Sequence, residues 1–101
     1  MQKQITIDRS LPAELEDFIE HQLTLGLKAA ITDIEELDLR LFPEKATLTC
    51  SIDATISEVK ISFSVVGLKA EICVSDALAR LRREALRIRQ RSSVQRLRRT
   101  G

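Results

Sequence analysis

The sequence predicts an α+β fold, a two-layer sandwich in which two helices cover one face of a four-stranded sheet. Four segments alternate apolar and polar residues as half-buried strands do, and two segments repeat apolar residues at the three- and four-residue spacing of amphipathic helices. In chain order these elements read β-α-β-β-β-α. Because each predicted strand has a single apolar face, both helices must pack on that face of the sheet.

The N-terminal part of the chain predicts one strand and one helix. Alternation over Gln2–Ile7 indicates a strand with both isoleucines on one face. Helix one is predicted from about Leu11 to about Lys28, with Ser10 as its N-cap. The apolar stripe of this helix consists of Leu11, Leu15, Phe18, Ile19 and Leu23.

The middle of the chain predicts three antiparallel strands in a meander. Strand patterns cover Glu35–Phe42, Ala46–Ile56 and Val59–Val65, and the second of these alternates without an error. Ser57 and Glu58 are the two residues of a tight turn between the last two strands. The other face of this sheet is polar and rich in Ser and Thr.

The C-terminal quarter predicts a second helix after a connection over Gly67–Val74. Ser75 or Asp76 is the predicted N-cap, and the helix is predicted to end near Gln90 or Arg91. Residues 1–91 then form one domain, and residues 92–101 form a mobile basic tail. The apolar stripe of this helix consists of Ala77, Leu78, Leu81, Ala85 and Ile88.

Charge is distributed unevenly along the chain. The net charge is only +1, but residues 1–76 carry seven basic and fourteen acidic residues, whereas residues 77–101 carry nine arginines and one acid, Glu84. Such a basic end indicates a phosphate-bearing or acidic partner, and arginine suits phosphate because its planar fork binds bidentately. The arginines that share one side of helix two are Arg80, Arg83, Arg87 and Arg91. Arg82 and Arg89 flank the apolar stripe, and Arg96, Arg98 and Arg99 lie in the tail.

The remaining residues argue against enzymatic chemistry. Cys50 and Cys73 are far apart in sequence and His21 is the only histidine, so metal-site and redox spacings are absent and two buried, reduced thiols are expected. No base lies beside a Ser or Thr nucleophile, and no Gly-rich loop is present to hold a phosphate. We therefore expect no catalytic residue, no cofactor, no metal and no small-molecule substrate. Without an apolar run of about 20 residues, we expect a cytoplasmic protein with no membrane partner.

The aromatic content bears on how a nucleic acid would be recognised. The chain has no Tyr or Trp, and two of its three phenylalanines, Phe18 and Phe63, are predicted to lie in the core. Proteins that bind single strands stack bases on exposed aromatic rings. Recognition through phosphates and shape, with little reading of bases, is therefore expected.

Four segments of the sequence match the pattern of a known family. They are the opening strand Gln4-Ile5-Thr6-Ile7, the helix start Leu11-Pro12-Ala13-Glu14-Leu15, the segment Asp53-Ala54-Thr55-Ile56 with the strand that follows it, and the helix-two opening Ala77-Leu78 with Leu81. On these segments the sequence is similar to the hibernation-promoting factor and ribosome-associated inhibitor family, and the resemblance covers about residues 3–91. The predicted sandwich also resembles the double-stranded-RNA-binding type of fold.

The resemblance implies a non-enzymatic protein that binds the small ribosomal subunit. It implies that helix two contacts ribosomal RNA and blocks translation by occupying the decoding region, as part of a stress response. The arginines of helix two and Lys28 are the residues expected to bind RNA.

Three other interpretations of the charge pattern stay open at this point. The arginine row could be an ordinary solvated helix face, or its members could pair with the acids of helix one. The chain could also be an interaction module, in which the acidic helix one meets the basic helix two of another copy or of a protein partner in a weak assembly. Members of the family usually carry basic residues on helix one, where this chain has Asp17 and Glu20.

Overall fold

The computed structural model describes residues 2–26 and 34–100, with side chains up to residue 91. It confirms the predicted fold class and the β-α-β-β-β-α order. The elements are β1 (Gln2–Ile7), α1 (Glu14–Gly26), β2 (Ile34–Glu44), β3 (Thr47–Ile56), β4 (Val59–Gly67) and α2 (Ala70–Thr100).

The four strands form one mixed sheet in the order β1-β2-β3-β4. β1 lies parallel to β2, and the other neighbouring pairs are antiparallel. The turn between β3 and β4 consists of Ser57 and Glu58, as predicted, and both have positive φ angles of 49° and 70°. Two consecutive left-handed residues define the type I′ turn, whose twist matches that of the two strands it joins.

The hydrophobic core lies between the sheet and the two helices. The inward residues of β2 and β3 are almost fully buried, including Leu39, Leu41 and Ile52. Both predicted helix stripes face this core. The buried stripe residues are Leu15, Ile19 and Leu23 on α1 and Ala77, Leu78, Leu81, Ala85 and Ile88 on α2. Burial of these side chains at about 25 cal/mol per Å² of apolar surface is the main stabilisation of the fold.

The start of α1 differs from the prediction. Ser10 is not its N-cap, because the Ser10 hydroxyl and backbone N–H both donate to Asp8 Oδ1, at 2.7 and 2.9 Å, and the helix begins at Glu14. These two hydrogen bonds lower the pKa of Asp8, the side-chain bond having the larger effect. Pro12 and Ala13 form a turn that leads into the helix. The predicted end at Lys28 lies outside the described residues.

Helix α2 is longer at both ends than predicted. It begins at Ala70, so Ser75 and Asp76 lie inside it on the exposed side instead of capping it. Its first turn packs tightly on β4, since a Cβ on Gly67 would lie 3.3 Å from the Cβ of Cys73. The predicted end near Arg91 is also wrong, because the backbone continues as a helix to Thr100.

Candidate nucleic-acid interface

Helix α2 carries four exposed arginines along one side, which we call the arginine ridge. The ridge consists of Arg80, Arg83, Arg87 and Arg91. At 100° per residue these side chains leave the helix within roughly 80° of arc, clear of the buried stripe. With 1.5 Å of rise per residue the ridge is about 16 Å long. That length allows contact with several successive phosphates of one nucleic-acid strand.

Packing of α2 over β3 and β4 determines where the ridge lies. β4 is the outer strand on that side of the sheet. Val65 of β4 lines one open groove together with Arg80 and Arg83 of α2. Arg80 and Arg83, the first two residues of the ridge, therefore lie beside β4.

Arg80 is held by an aromatic ring of the sheet. Its guanidinium carbon lies 4.5 Å from the centroid of the Phe63 ring, which is the geometry of a cation–π contact. Sequence reasoning placed Phe63 wholly in the core, whereas the structure leaves it half-buried at the core's edge. The ring restricts the conformations of Arg80, so less side-chain entropy is lost when this guanidinium binds an anion.

The other ridge arginines differ in their availability. Arg87 Nη1 lies 3.5 Å from Glu84 Oε1, a pair one helical turn apart in which Arg87 is exposed and Glu84 half-buried; such a surface pair contributes about 0.5 kcal/mol or less. Within the described part of the chain, Arg83 and Arg91 form no ion pair. Their charges are therefore open to an external anion.

One acidic residue of the groove was not anticipated. Asp76 lies one turn before Arg80 and lines the groove with Arg80 and Arg83. Its i, i+4 spacing from Arg80 was available in the sequence, but Asp76 was interpreted there as a helix cap. Asp76 lowers the positive potential at this end of the ridge, as Glu84 does beside Arg87.

Of the remaining basic residues predicted to bind RNA, the structure describes the side chains of two, Arg82 and Arg89, and not those of Lys28 or the tail arginines. Arg82 and Arg89 are exposed on α2, and Arg82 also lines the groove. Lys28 lies outside the described residues. The tail residues Arg96, Arg98 and Arg99 lie on the helical backbone of α2, but their side chains fall outside the description. The predicted mobility of residues 92–101 stays a prediction.

The acidic residues of α1 lie apart from the ridge. Its first turn exposes Glu14, Glu16 and Asp17. Glu20 is engaged by Lys3 of β1, with Nζ 2.5 Å from Oε2. Among the described side chains, no ion pair joins these acids to Arg80, Arg82, Arg83 or Arg91. For these arginines the alternative of helix-to-helix pairing is therefore wrong.

The uncovered face of the sheet is unsuited to an anion. It forms a shallow depression of about 590 Å³ lined by residues of all four strands. Asp38 and Asp53 are direct partners across β2 and β3, so two carboxylates lie side by side. Asp38 Oδ2 accepts a hydrogen bond from Arg40 at 3.1 Å, while Asp53 accepts one from Ser62. The acids Glu36, Asp38 and Asp53 outnumber the two lysines of this lining, Lys3 and Lys60, so a phosphate is less favoured on this face than at the ridge.

Other groups that could carry chemistry are buried or isolated in the part of the chain described. Cys50 and Cys73 are buried free thiols, and burial raises the pKa of both, that of Cys50 to about 12. His21 is exposed on α1. Among the described residues no group of three or more His, Cys, Asp or Glu side chains is placed to hold a metal ion. None of the described helices has the length and apolar character that would let it span a membrane.

Comparison with solved structures shows two proteins that share this fold. A ribosomal subunit interface protein from Coxiella burnetii is similar over 89% of this chain and 99% of its own, with a TM-score of 0.74 and 12% sequence identity. The N-terminal domain of Protein Y from Thermus thermophilus is similar over 87% of this chain and 99% of its own, with a TM-score of 0.70 and 16% identity. The resemblance predicted from sequence is therefore confirmed at the level of the fold.

Comparison of the sequence finds no match: no protein-family model matches the chain, and no curated protein sequence matches it significantly.

Proposed function

We propose that this chain is a non-enzymatic, cytoplasmic ribosome-associated protein that binds RNA phosphates of the small subunit through the arginine ridge. By occupying the subunit it hinders translation, in the manner of a hibernation factor. The observation that carries this proposal is an exposed, arginine-only ridge in which Arg83 and Arg91 make no ion pair among the described residues. The ribosomal subunit interface protein from Coxiella burnetii, which has the same fold, supports the choice of ribosomal RNA as the polyanion.

The cost of placing like charges together supports a binding role. Arginines at i, i+3 and i+4 spacings repel one another by some tenths of a kcal/mol per pair. Among the described residues, Arg87 is the one member of the ridge with an acid paired to it, and that acid is Glu84. This repulsion destabilises the helix, and a bound anion would offset it, which gives the row of arginines a physical reason. Arginine forks also bind phosphate oxygens bidentately.

The test is co-sedimentation of the purified full chain with small ribosomal subunits at low salt. We expect the protein to migrate with the subunit, and an in vitro translation reaction to slow in proportion to the fraction bound. Protein that stays at the top of the gradient at 50 mM salt would exclude the ribosomal target. A ridge variant that migrates like the unaltered protein would exclude the proposed site.

A second candidate function is self-assembly through opposite charges. The acids exposed in the first turn of α1 and the arginine ridge belong to different helices, and no ion pair joins them among the described side chains, so both are available for a head-to-tail contact between copies. Such a contact weakens as the Debye length falls from about 30 to about 8 Å between 0.01 and 0.15 M salt. Light scattering that shows a monomer at every concentration in low salt would exclude it.

A further inference from the structure

Strand β4 leaves one long edge of the sheet open. Among the described strands it pairs only with β3, so the backbone N–H and C=O groups on its outer side have no strand partner. Its nine residues contain no proline and one charged residue, Lys60. Proteins normally blunt such an edge with charges, prolines or a covering element, because it is a template for another strand.

An incompletely covered apolar strip runs beside this edge. Ile61, Phe63 and Val65 point toward α2, yet each is only half-buried. Between β4 and α2 lies an open groove of about 460 Å³, which is the groove that Val65, Arg80 and Arg83 line. A further strand beside β4 would cover this strip and continue the sheet.

The charge along the groove restricts what that strand can be. Arg80, Arg82 and Arg83 outnumber the single acid Asp76 among the lining residues. Pairing β4 with β4 of a second copy would bring two arginine ridges side by side, and like charges at close range disfavour that dimer. A strand with carboxylates at alternate positions has the complementary charge, because alternate side chains of a strand share one face.

We propose that the β4 edge and the adjoining end of the arginine ridge bind an extended acidic segment of a partner protein as a fifth strand. The main chain of the segment pairs with β4, and every second side chain, a carboxylate, faces Arg80 and Arg83. Addition of a strand to a sheet edge is a general mode of peptide recognition. The regulatory consequence rests on the proposed function: RNA and the acidic segment compete for the ridge.

The probe is a fluorescein-labelled ten-residue peptide of alternating Glu and Thr, and the matched control replaces every Thr by Pro. Both carry five side-chain carboxylates, but the control lacks the N–H donors that an antiparallel fifth strand with its carboxylates toward α2 directs at β4. We expect fluorescence anisotropy at 50 mM salt to show binding of the Glu-Thr peptide. The Glu-Pro peptide should bind at least about tenfold more weakly, since each lost main-chain hydrogen bond costs roughly two- to tenfold in affinity.

Hydrogen exchange followed by NMR locates the bound peptide. We expect amides of Val59–Gly67 to gain protection when the Glu-Thr peptide binds. Arg80→Gln with Arg83→Gln should weaken binding about 2- to 30-fold. The charge-matched control, Arg9→Gln with Lys45→Gln, removes two exposed positive charges outside the groove and should leave binding within about twofold.

Three results would overturn the inference. They are no binding of the Glu-Thr peptide, equal binding of the two peptides, and protection that appears elsewhere than β4. Equal binding of the Glu-Thr and Glu-Pro peptides would show that charge attraction alone holds the peptide and that no strand forms. Because these measurements contain no RNA, they are independent of the ribosomal proposal. Peptide binding without subunit binding refutes the proposed function and leaves this inference standing, while the reverse pattern refutes the inference alone.

Discussion

Removal of two ridge charges should change the salt dependence of RNA binding by a calculable amount. Each phosphate neutralised by a basic side chain contributes roughly 0.7 to 0.9 to the slope of log affinity against log salt. If each of the four ridge arginines meets one phosphate, the slope is about −2.8 to −3.6, and a fourfold rise in salt weakens binding roughly 50- to 150-fold. Arg83→Gln with Arg87→Gln should reduce the magnitude of the slope by about 1.4 to 1.8.

The same double change should leave the fold intact. Arg83 and Arg87 are exposed, and the Arg87–Glu84 pair is a weak surface interaction. We expect the free energy of unfolding to change by about 0.5 kcal/mol or less. The slope is measured by filter binding or anisotropy with small-subunit RNA between 50 and 200 mM salt, and stability by urea titration.

Controls separate the ridge from bulk charge and from the tail. Arg9→Gln with Lys45→Gln removes the same net charge from exposed positions at the end of the sheet and should leave the slope within about 0.3 of the original. Deletion of residues 92–101 should lower non-specific affinity more than it alters placement on the subunit. If the Arg83 and Arg87 variant keeps both its affinity and its slope, or if it unfolds, the ridge is structural and the site assignment is wrong.

Three further outcomes follow from the fold. Ser57→Asn with Glu58→Gly relieves two left-handed residues and should raise the free energy of unfolding by about 1 to 2 kcal/mol, measured as a higher urea midpoint; no increase would contradict the type I′ assignment. Leu81→Ala, at a fully buried position, should cost about 2 to 5 kcal/mol in the same titration, and a loss below 1 kcal/mol would contradict the described packing. The pKa values of Cys50 and Cys73 are raised on folding, so the unfolded state loses these thiol protons first, and stability should fall as pH rises above about 9. Thiol reagents at pH 8 should accordingly label native protein only as fast as it unfolds, and rapid labelling would show that a thiol is accessible.

The strands and the packing faces of the helices were predictable because each depends on a local period. Alternation defined β3 to within one residue of its observed start at Thr47. The three-and-four spacing likewise identified every buried position of the α2 stripe from Ala77 to Ile88. The arginine ridge follows from the same helical period, so its exposure could be anticipated residue by residue.

The ends of α2 were not predictable from residue preferences. Ser75 and Asp76 are typical capping residues, yet they lie inside the helix because Cys73 and Val74 continue its buried stripe by one turn. Tertiary packing outweighed the local capping preference. The stacking of Arg80 on Phe63 could not be predicted from the sequence either, because it depends on how α2 packs on β4 and neither segment alone indicates that packing.

The order of strands in the sheet has a consequence for folding. Every strand lies beside its neighbour in the chain, and two-residue turns close both hairpins of β2, β3 and β4. Such closures cost little chain entropy, so this meander with α2 packed on it can form early. β1 pairs with β2, from which it is separated in the chain by α1, and it buries little of its own surface. We therefore expect β1 to be the first strand to open, in local fluctuations that leave the arginine ridge and its supporting strands in their native arrangement.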